Sequence, residues 1–241
     1  MDLGIAGRVA LVTAASRGLG RASALALAEA GAHVAICARG EEALREAEEE
    51  LAAHTDVLAI SADVTRPEEP AALVARTVDR FGALDILVAN AGGPPPGRAL
   101  DQGDEAIGEA VNDNLLTSVR LVRAAVPHMR RRRWGRVCFV TSSTIKQPSA
   151  TLALSNTART GLWAWAKTLA GDVFPEGITV NTVCPGVHAT DRMQQLGIGP
   201  DVPAGDPRRF GQIVAFVCSE PAAFVNGVAL LVDGGRFAGL F

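Results

Sequence analysis

Short apolar runs of strand length, from RVALV at 8–12 to VALLV at 228–232, alternate along this chain with Ala-rich amphipathic segments of helix length. This alternation constrains the fold more than any other feature. Strand candidates fall near 8–12, 33–37, 56–60, 84–88, 136–141, 178–183 and 228–232. The runs are apolar on both faces, which suits parallel strands covered by helices on each side and joined by right-handed crossovers. The expected class is α/β, a doubly wound parallel sheet of about seven strands. No linker, low-complexity tract or fixed-period repeat interrupts the pattern, so 1–241 reads as a single domain. The PPP at 94–96 reads as a stiff loop within it.

Composition narrows the partners. With 241 residues, 48% of them hydrophobic, the chain is long enough to bury a sizeable core. A net charge of -3 argues against nucleic acid or a membrane surface, because both favour a basic face. Arg130 to Arg133, with Arg136 nearby, form a single basic cluster that reads as a helix end facing the negative pole of the helix dipole. Cys37, Cys138, Cys184 and Cys218 stand singly in apolar stretches, with no CxxC pair and no His cluster at ligand spacing. They read as buried reduced thiols of a cytoplasmic protein that carries no metal. No run of 18 apolar residues occurs, and MDLGIAGRVALVTAASRG lacks a basic start followed by a long apolar region, so neither membrane spanning nor secretion is expected.

In doubly wound sheets, ligands bind beyond the carboxyl ends of the strands. The first loop there, VTAASRGLGRASALALAEAG, carries a strand through a turn of small residues into a helix. Such a turn can present backbone N–H groups and a helix N-terminus to a pyrophosphate where no side chain blocks the approach. Ala15, Ser16, Gly18 and Gly20 keep that approach open.

The whole chain resembles the short-chain dehydrogenase/reductase family. The family's first loop reads TGxxxGxG; Thr13, Gly18 and Gly20 match, while Ala14 stands where the first glycine is expected. Further matches follow in the family's order: Asp63-Val64, Asn90-Ala91-Gly92, Asn114, Ser142, Pro185-Gly186 with Thr190, and Val232-Asp233-Gly234-Gly235. The resemblance implies a Rossmann-type fold and a nicotinamide dinucleotide. Thr13, Ala15, Ser16, Arg17, Gly18, Leu19 and Gly20 are then the candidate diphosphate turn. By the same resemblance, Asp63 and Val64 would border the adenine, Asn90 to Gly92 would line the cleft, and Pro185, Gly186, Val187 and Thr190 would lie by the nicotinamide. An NAD site commonly has a carboxylate at the end of the second strand, whereas a 2′-phosphate needs cations. Here that strand ends Ile36-Cys37-Ala38-Arg39 and the turn supplies Arg17, which favours NADP(H) and leaves NAD(H) possible.

In the family, a tyrosine follows the serine of the fifth strand by thirteen residues, and a lysine follows the tyrosine by four. Counting from Ser142 reaches Ser155 and Arg159. The four-residue spacing places both on one helix face, where the family uses a cation to lower a phenol's pKa. An aliphatic hydroxyl is no substitute acid at neutral pH, and arginine stays charged, although it could still hold ribose oxygens. The stretch LALSNTARTG also reads as a helix start with Ser155 as its cap. Two other residues on these loops could supply the proton, His188 slightly ahead of Lys146. Ser142 keeps a polarising hydroxyl, and Asn114 is placed to hold the helix distortion seen in relatives.

The segment from 191 to 205, where relatives carry a substrate-covering helical lid, is short and rich in Gly and Pro. Three readings follow: a reductase of the 3-oxoacyl-carrier-protein type acting on a small-molecule or acyl-thioester substrate; a silent NADP(H)-binding sensor; and an inactive partner of an active relative. The resemblance implies a homotetramer or homodimer through the helices containing 104–131 and 155–172, where Trp163 and Trp165 fit an interface about as well as a core.

Overall fold

The computed structural model describes residues 1–240. The strands are β1 (Val9–Val12), β2 (His33–Ala38), β3 (Val57–Ser61), β4 (Ile86–Ala89), β5 (Gly135–Val140), β6 (Ile178–Pro185) and β7 (Ala229–Val232). Between them run α1 (Gly18–Glu29), α2 (Glu41–Ala52), α3 (Glu69–Phe81), α4 (Asp104–Val111), α5 (Thr117–Arg132), α6 (Ala153–Val173), α7 (Asp191–Gln195) and α8 (Pro207–Val217). All seven strands lie within two residues of the positions expected from the apolar runs.

The strands form one parallel sheet in the order β3-β2-β1-β4-β5-β6-β7. The order reverses between β1 and β4, and this is where a doubly wound sheet opens a crevice. Alternate strand residues feed two cores, which explains why the runs are apolar throughout. Val12, Ile36, Val88 and Val140 pack with Leu27 of α1 and Phe210 of α8, whereas Leu11, Leu87 and Phe139 pack with Met129 of α5 and Leu162 of α6. The approach of α8 to α1 depends on Gly211, where a Cβ would come within 2.1 Å of the Ala22 carbonyl oxygen.

The amino end of the sheet absorbs the basic run. Asp85, fully buried, accepts a hydrogen bond from the Val9 amide (3.0 Å) and lies 3.2 Å from Arg132 and 3.8 Å from Arg8. The guanidinium groups of Arg8 (3.9 Å) and Arg136 (4.2 Å) both lie over the Trp134 ring, and Arg130 pairs with Glu176. Arg130 to Arg132 form the last turn of α5, as expected, and all five cations of the cluster also have structural partners. The four cysteines are free and buried. Among the described residues no helix is long and apolar enough to cross a membrane. Trp165 packs edge-on to Phe139 at 6.3 Å, and Trp163 lies half-buried on the same helix.

Candidate active site

The turn after β1 is braced by the end of β4. Thr13 Oγ1 donates to the Asn90 carbonyl (2.7 Å) and accepts from the Asn90 amide (2.9 Å), while Asn90 Nδ2 donates to the Ala14 carbonyl (3.2 Å). Ala14 holds this turn at φ 48, in the left-handed region that glycine adopts without strain. At Gly20 a Cβ would lie 2.3 Å from the Ala14 oxygen and 2.7 Å from Asn90 Nδ2, so the helix can sit this close only without a side chain. The backbone at Arg17, the cap of α1, is extended and no side chain caps the helix, leaving first-turn N–H groups for an external acceptor. This arrangement of Thr13, Ala15, Ser16, Gly18, Leu19 and Gly20 fits the diphosphate of a dinucleotide.

Along the same crevice, Arg39 stands exposed after β2, and Asp63 accepts from the Thr65 amide (3.2 Å) and hydroxyl (2.8 Å). Burial opposes ionisation of Asp63, but the Thr65 bonds and the charges of Arg39 and Arg66 outweigh it and hold the carboxyl below its ordinary range. The Val64 carbonyl accepts from Thr117, fixing this loop to the start of α5. Across the crevice, Thr190 lies beside Gly18, with its Cγ2 3.6 Å from where a Cβ would be, and Asp191 pairs with Arg17 at 3.3 Å. Gly186 packs on Asp233 so closely that a Cβ would approach to 2.7 Å, and the Val187 carbonyl accepts from Gly205.

On the other side, α4 runs into α5 through a π-helical turn at Asn112–Leu116 that contains Asn114. Such turns are frequent at functional sites. Asn114 Nδ2 donates to the Ala110 carbonyl at 3.4 Å, while its buried Oδ1 has no partner. Ser142, just past β5, accepts from both the amide (3.2 Å) and the hydroxyl (3.0 Å) of Thr144.

Ser155 and Arg159 do lie one turn apart on α6, both buried. The expected capping role of Ser155 is corrected by the structure. The helix begins at Ala153 with Leu152 at its cap, so Ser155 is already inside the first turn, and no side chain caps the helix. Arg159 turns its guanidinium to the sheet. Its Nη1 donates to the carbonyls of Val140 (2.9 Å) and Thr141 (3.0 Å), and its Nη2 to that of Ala91 (3.2 Å). Burial, reinforced by the neighbouring charge of Arg192, pulls its pKa down to about 10.

The two remaining proton-donor candidates differ. His188 is buried edge-on to Phe210, with ring centroids 5.1 Å apart, and a Cβ on Gly205 would come within 2.8 Å of its ring. Its Nδ1 lies 3.3 Å from the Gly186 carbonyl, and burial lowers its pKa against the opposing pull of that carbonyl and of Asp206. Lys146 ends the short 3₁₀ turn after Ser142, half-buried, with Nζ 5.6 Å from the centroid of the Trp163 ring. Burial raises the Cys184 thiol to about 11, and the positive charges of Lys146 and Arg159 oppose that rise.

Sequence reasoning missed Arg192. From α7 its Nη2 donates to the Pro94 carbonyl (2.7 Å) and its Nη1 to Gln195 Oε1 (3.2 Å). Its guanidinium covers Gly93, where a Cβ would lie 2.6 Å from Nη2. The available signal was a cation two residues beyond Thr190 together with the side-chain-free GG at 92–93.

A profile of the family described as short chain dehydrogenase matches residues 8–200. The chain is 35% identical over 244 residues to the 3-oxoacyl-[acyl-carrier-protein] reductase of Vibrio cholerae, covering 98% of this chain and 99% of the relative. It is 32% identical to dehydrogenase/reductase SDR family member 4 of Homo sapiens, covering 96% and 88% respectively. Among solved structures, that of L-sorbose reductase from Gluconobacter frateurii, complexed with NADPH and L-sorbose, superposes with a TM-score of 0.92 at 32% identity, covering both chains completely.

Proposed function

The chain belongs to the short-chain dehydrogenase family, a family of oxidoreductases, and from that premise we propose that it is an NADPH-dependent carbonyl reductase of the 3-oxoacyl type whose proton donor is Lys146. The observation that carries the reading is the contrast between Lys146 and His188. The lysine lies four residues beyond Ser142, half-buried, whereas the histidine is packed between Phe210 and Gly205.

NADPH is preferred to NADH because Arg17 and Arg39 flank the crevice and no carboxylate ends β2. Arg17 is shared with Asp191, so a 2′-phosphate takes it in exchange for that carboxylate. When bound, the reduced nicotinamide supplies a hydride equivalent to a carbonyl carbon. The chain's own residues orient that carbonyl and manage the proton. Ser142 accepts two hydrogen bonds from Thr144, which leaves its own O–H to point at a substrate oxygen. Arg159, held by three backbone carbonyls, is a fixed positive charge behind that oxygen. Lys146 releases the proton that neutralises it, a role closed to the aliphatic hydroxyl of Ser155. Assembly as a homodimer or homotetramer through α4, α5 and α6 belongs to the same proposal.

The test is NADPH oxidation with a panel of ketones and 3-oxoacyl thioesters. Lys146→Met lowers kcat/KM by about a hundredfold or more, the ordinary share of a general acid, while His188→Gln leaves it within a few fold. The reverse pattern assigns the proton to His188. The replacement of both family positions by Ser155 and Arg159 favours a second reading, a silent NADP(H)-binding sensor or inactive partner subunit. NADPH binding with no turnover on any member of the panel selects that reading.

A further inference from the structure

Three cations are held at the loops after β4, β5 and β6. Arg192 covers Gly93 and bonds the Pro94 carbonyl, Arg159 bonds the Ala91 carbonyl, and Lys146 follows Ser142. Arg159 and Arg192 are close enough for the charge of one to depress the pKa of the other. Among the described residues, no carboxylate comes within 4.0 Å of any of the three, although ten other ion pairs form in the molecule. Asp191, the acid adjacent to Arg192, is turned to Arg17 instead. The cleft therefore gathers positive charge that the protein leaves uncompensated, and Arg192, half-buried, holds only neutral oxygens.

We propose that Arg192 binds a carboxylate of the substrate, so that the preferred substrate is a free oxo acid rather than its neutral ester or thioester. The planar guanidinium offers a paired N–H geometry that matches a carboxylate, and a charge-assisted bond is roughly twice as strong as the carbonyl bond it replaces. The guanidinium reaches the Pro94 carbonyl by lying directly over Gly93, a position that carries no side chain. Lys146 adds long-range attraction, and Arg159, fixed to the sheet, does the same without moving. The inference rests on the carbonyl-reductase reading and narrows its substrate to the free 3-oxo acid in place of the thioester.

The experiment separates the two. Tryptophan fluorescence, reported by Trp163 beside Lys146, is followed while the protein is titrated with straight-chain monocarboxylates from acetate to hexanoate, with and without saturating NADPH. Turnover is then compared for acetoacetate, methyl acetoacetate and the N-acetylcysteamine thioester of acetoacetate. The expected result is carboxylate binding that weakens at least about tenfold in Arg192→Met and is partly restored in Arg192→Lys, together with a preference for acetoacetate over the ester that disappears in Arg192→Met. Three outcomes overturn the proposal: no carboxylate binding at any length, binding unchanged in Arg192→Met, or a wild-type preference for ester or thioester. So does an Arg192→Met variant that loses affinity for NADPH but keeps the carboxylate preference, since the arginine then serves the cofactor. Carboxylate binding that depends on Arg192 in a protein that binds no NADPH sinks the reductase reading and leaves the carboxylate site standing.

Discussion

The turn after β1 and the wall formed by Ser142, Lys146, Ser155 and Arg159 are both fastened to the end of β4, the first to Asn90 and the second to Ala91, yet they use different kinds of contact. In the turn, Thr13, Ala14 and Asn90 bind one another through neutral hydrogen bonds, and recognition is left to backbone N–H groups. In the wall, a buried guanidinium is fastened to three backbone carbonyls and the chemistry depends on side chains. A site that works through its backbone tolerates substitution as long as residues stay small, which is why Ala14 can stand where the family has glycine. A site that depends on a side chain's acidity does not, because an aliphatic hydroxyl such as that of Ser155 is no acid at neutral pH and the Arg159 guanidinium is fixed in place.

The sharpest way to break this comparison is Gly20→Val. The new side chain meets the Ala14 oxygen and Asn90 Nδ2, and overpacking of this kind costs about 3 kcal/mol, so NADPH affinity is expected to fall by on the order of a hundredfold in a fluorescence titration. Affinity left intact would show that the turn is not the diphosphate site. Next comes Arg159→Ala, which strips the donor from three buried carbonyls and lowers the unfolding free energy by about 3 kcal/mol in urea. If this variant instead keeps its stability and loses NADPH binding, the wall serves the cofactor and the contrast between the two regions disappears.

A smaller effect is expected at His188. Burial holds its pKa below the ordinary value of 6.5, so the unfolded chain binds the proton more readily than the folded one. Its contribution to stability is thus complete above pH 6.5 and is lost as pH falls through the lower folded value. His188→Gln should flatten the acid limb of the stability profile without changing turnover, and an unchanged limb would show that the ring is not buried in solution. Smallest is Ala14→Gly, which relieves the positive φ and raises thermal stability by about 1 kcal/mol.

The strands were legible because both faces of each are buried, so their apolar runs have no polar interruptions to disguise them. Thr13, Gly18, Gly20 and Asn90 were legible because a turn that approaches the helix and β4 this closely needs small residues in a fixed order along the chain. The direction of the Arg159 side chain was not, since a spacing of four puts it on the right helix face but cannot say whether it reaches the crevice or the strand ends. On titration range alone His188 stands ahead of Lys146, but its packing against Phe210 depends on α8, which begins nineteen residues later and leaves no local mark in the sequence. Arg192 was hidden in a segment read only as a short lid, and its partner Pro94 lies on a different loop altogether.

The source of the proton decides between an active reductase and a silent binding protein, and chemical rescue tests it most directly. Turnover of Lys146→Ala with NADPH and a carbonyl substrate is measured as ethylammonium is added, beside Ser155→Ala under the same conditions. The account predicts a rate that is depressed in Lys146→Ala and climbs with amine concentration, with no amine response in Ser155→Ala. Wild-type turnover in Lys146→Ala without amine would contradict it.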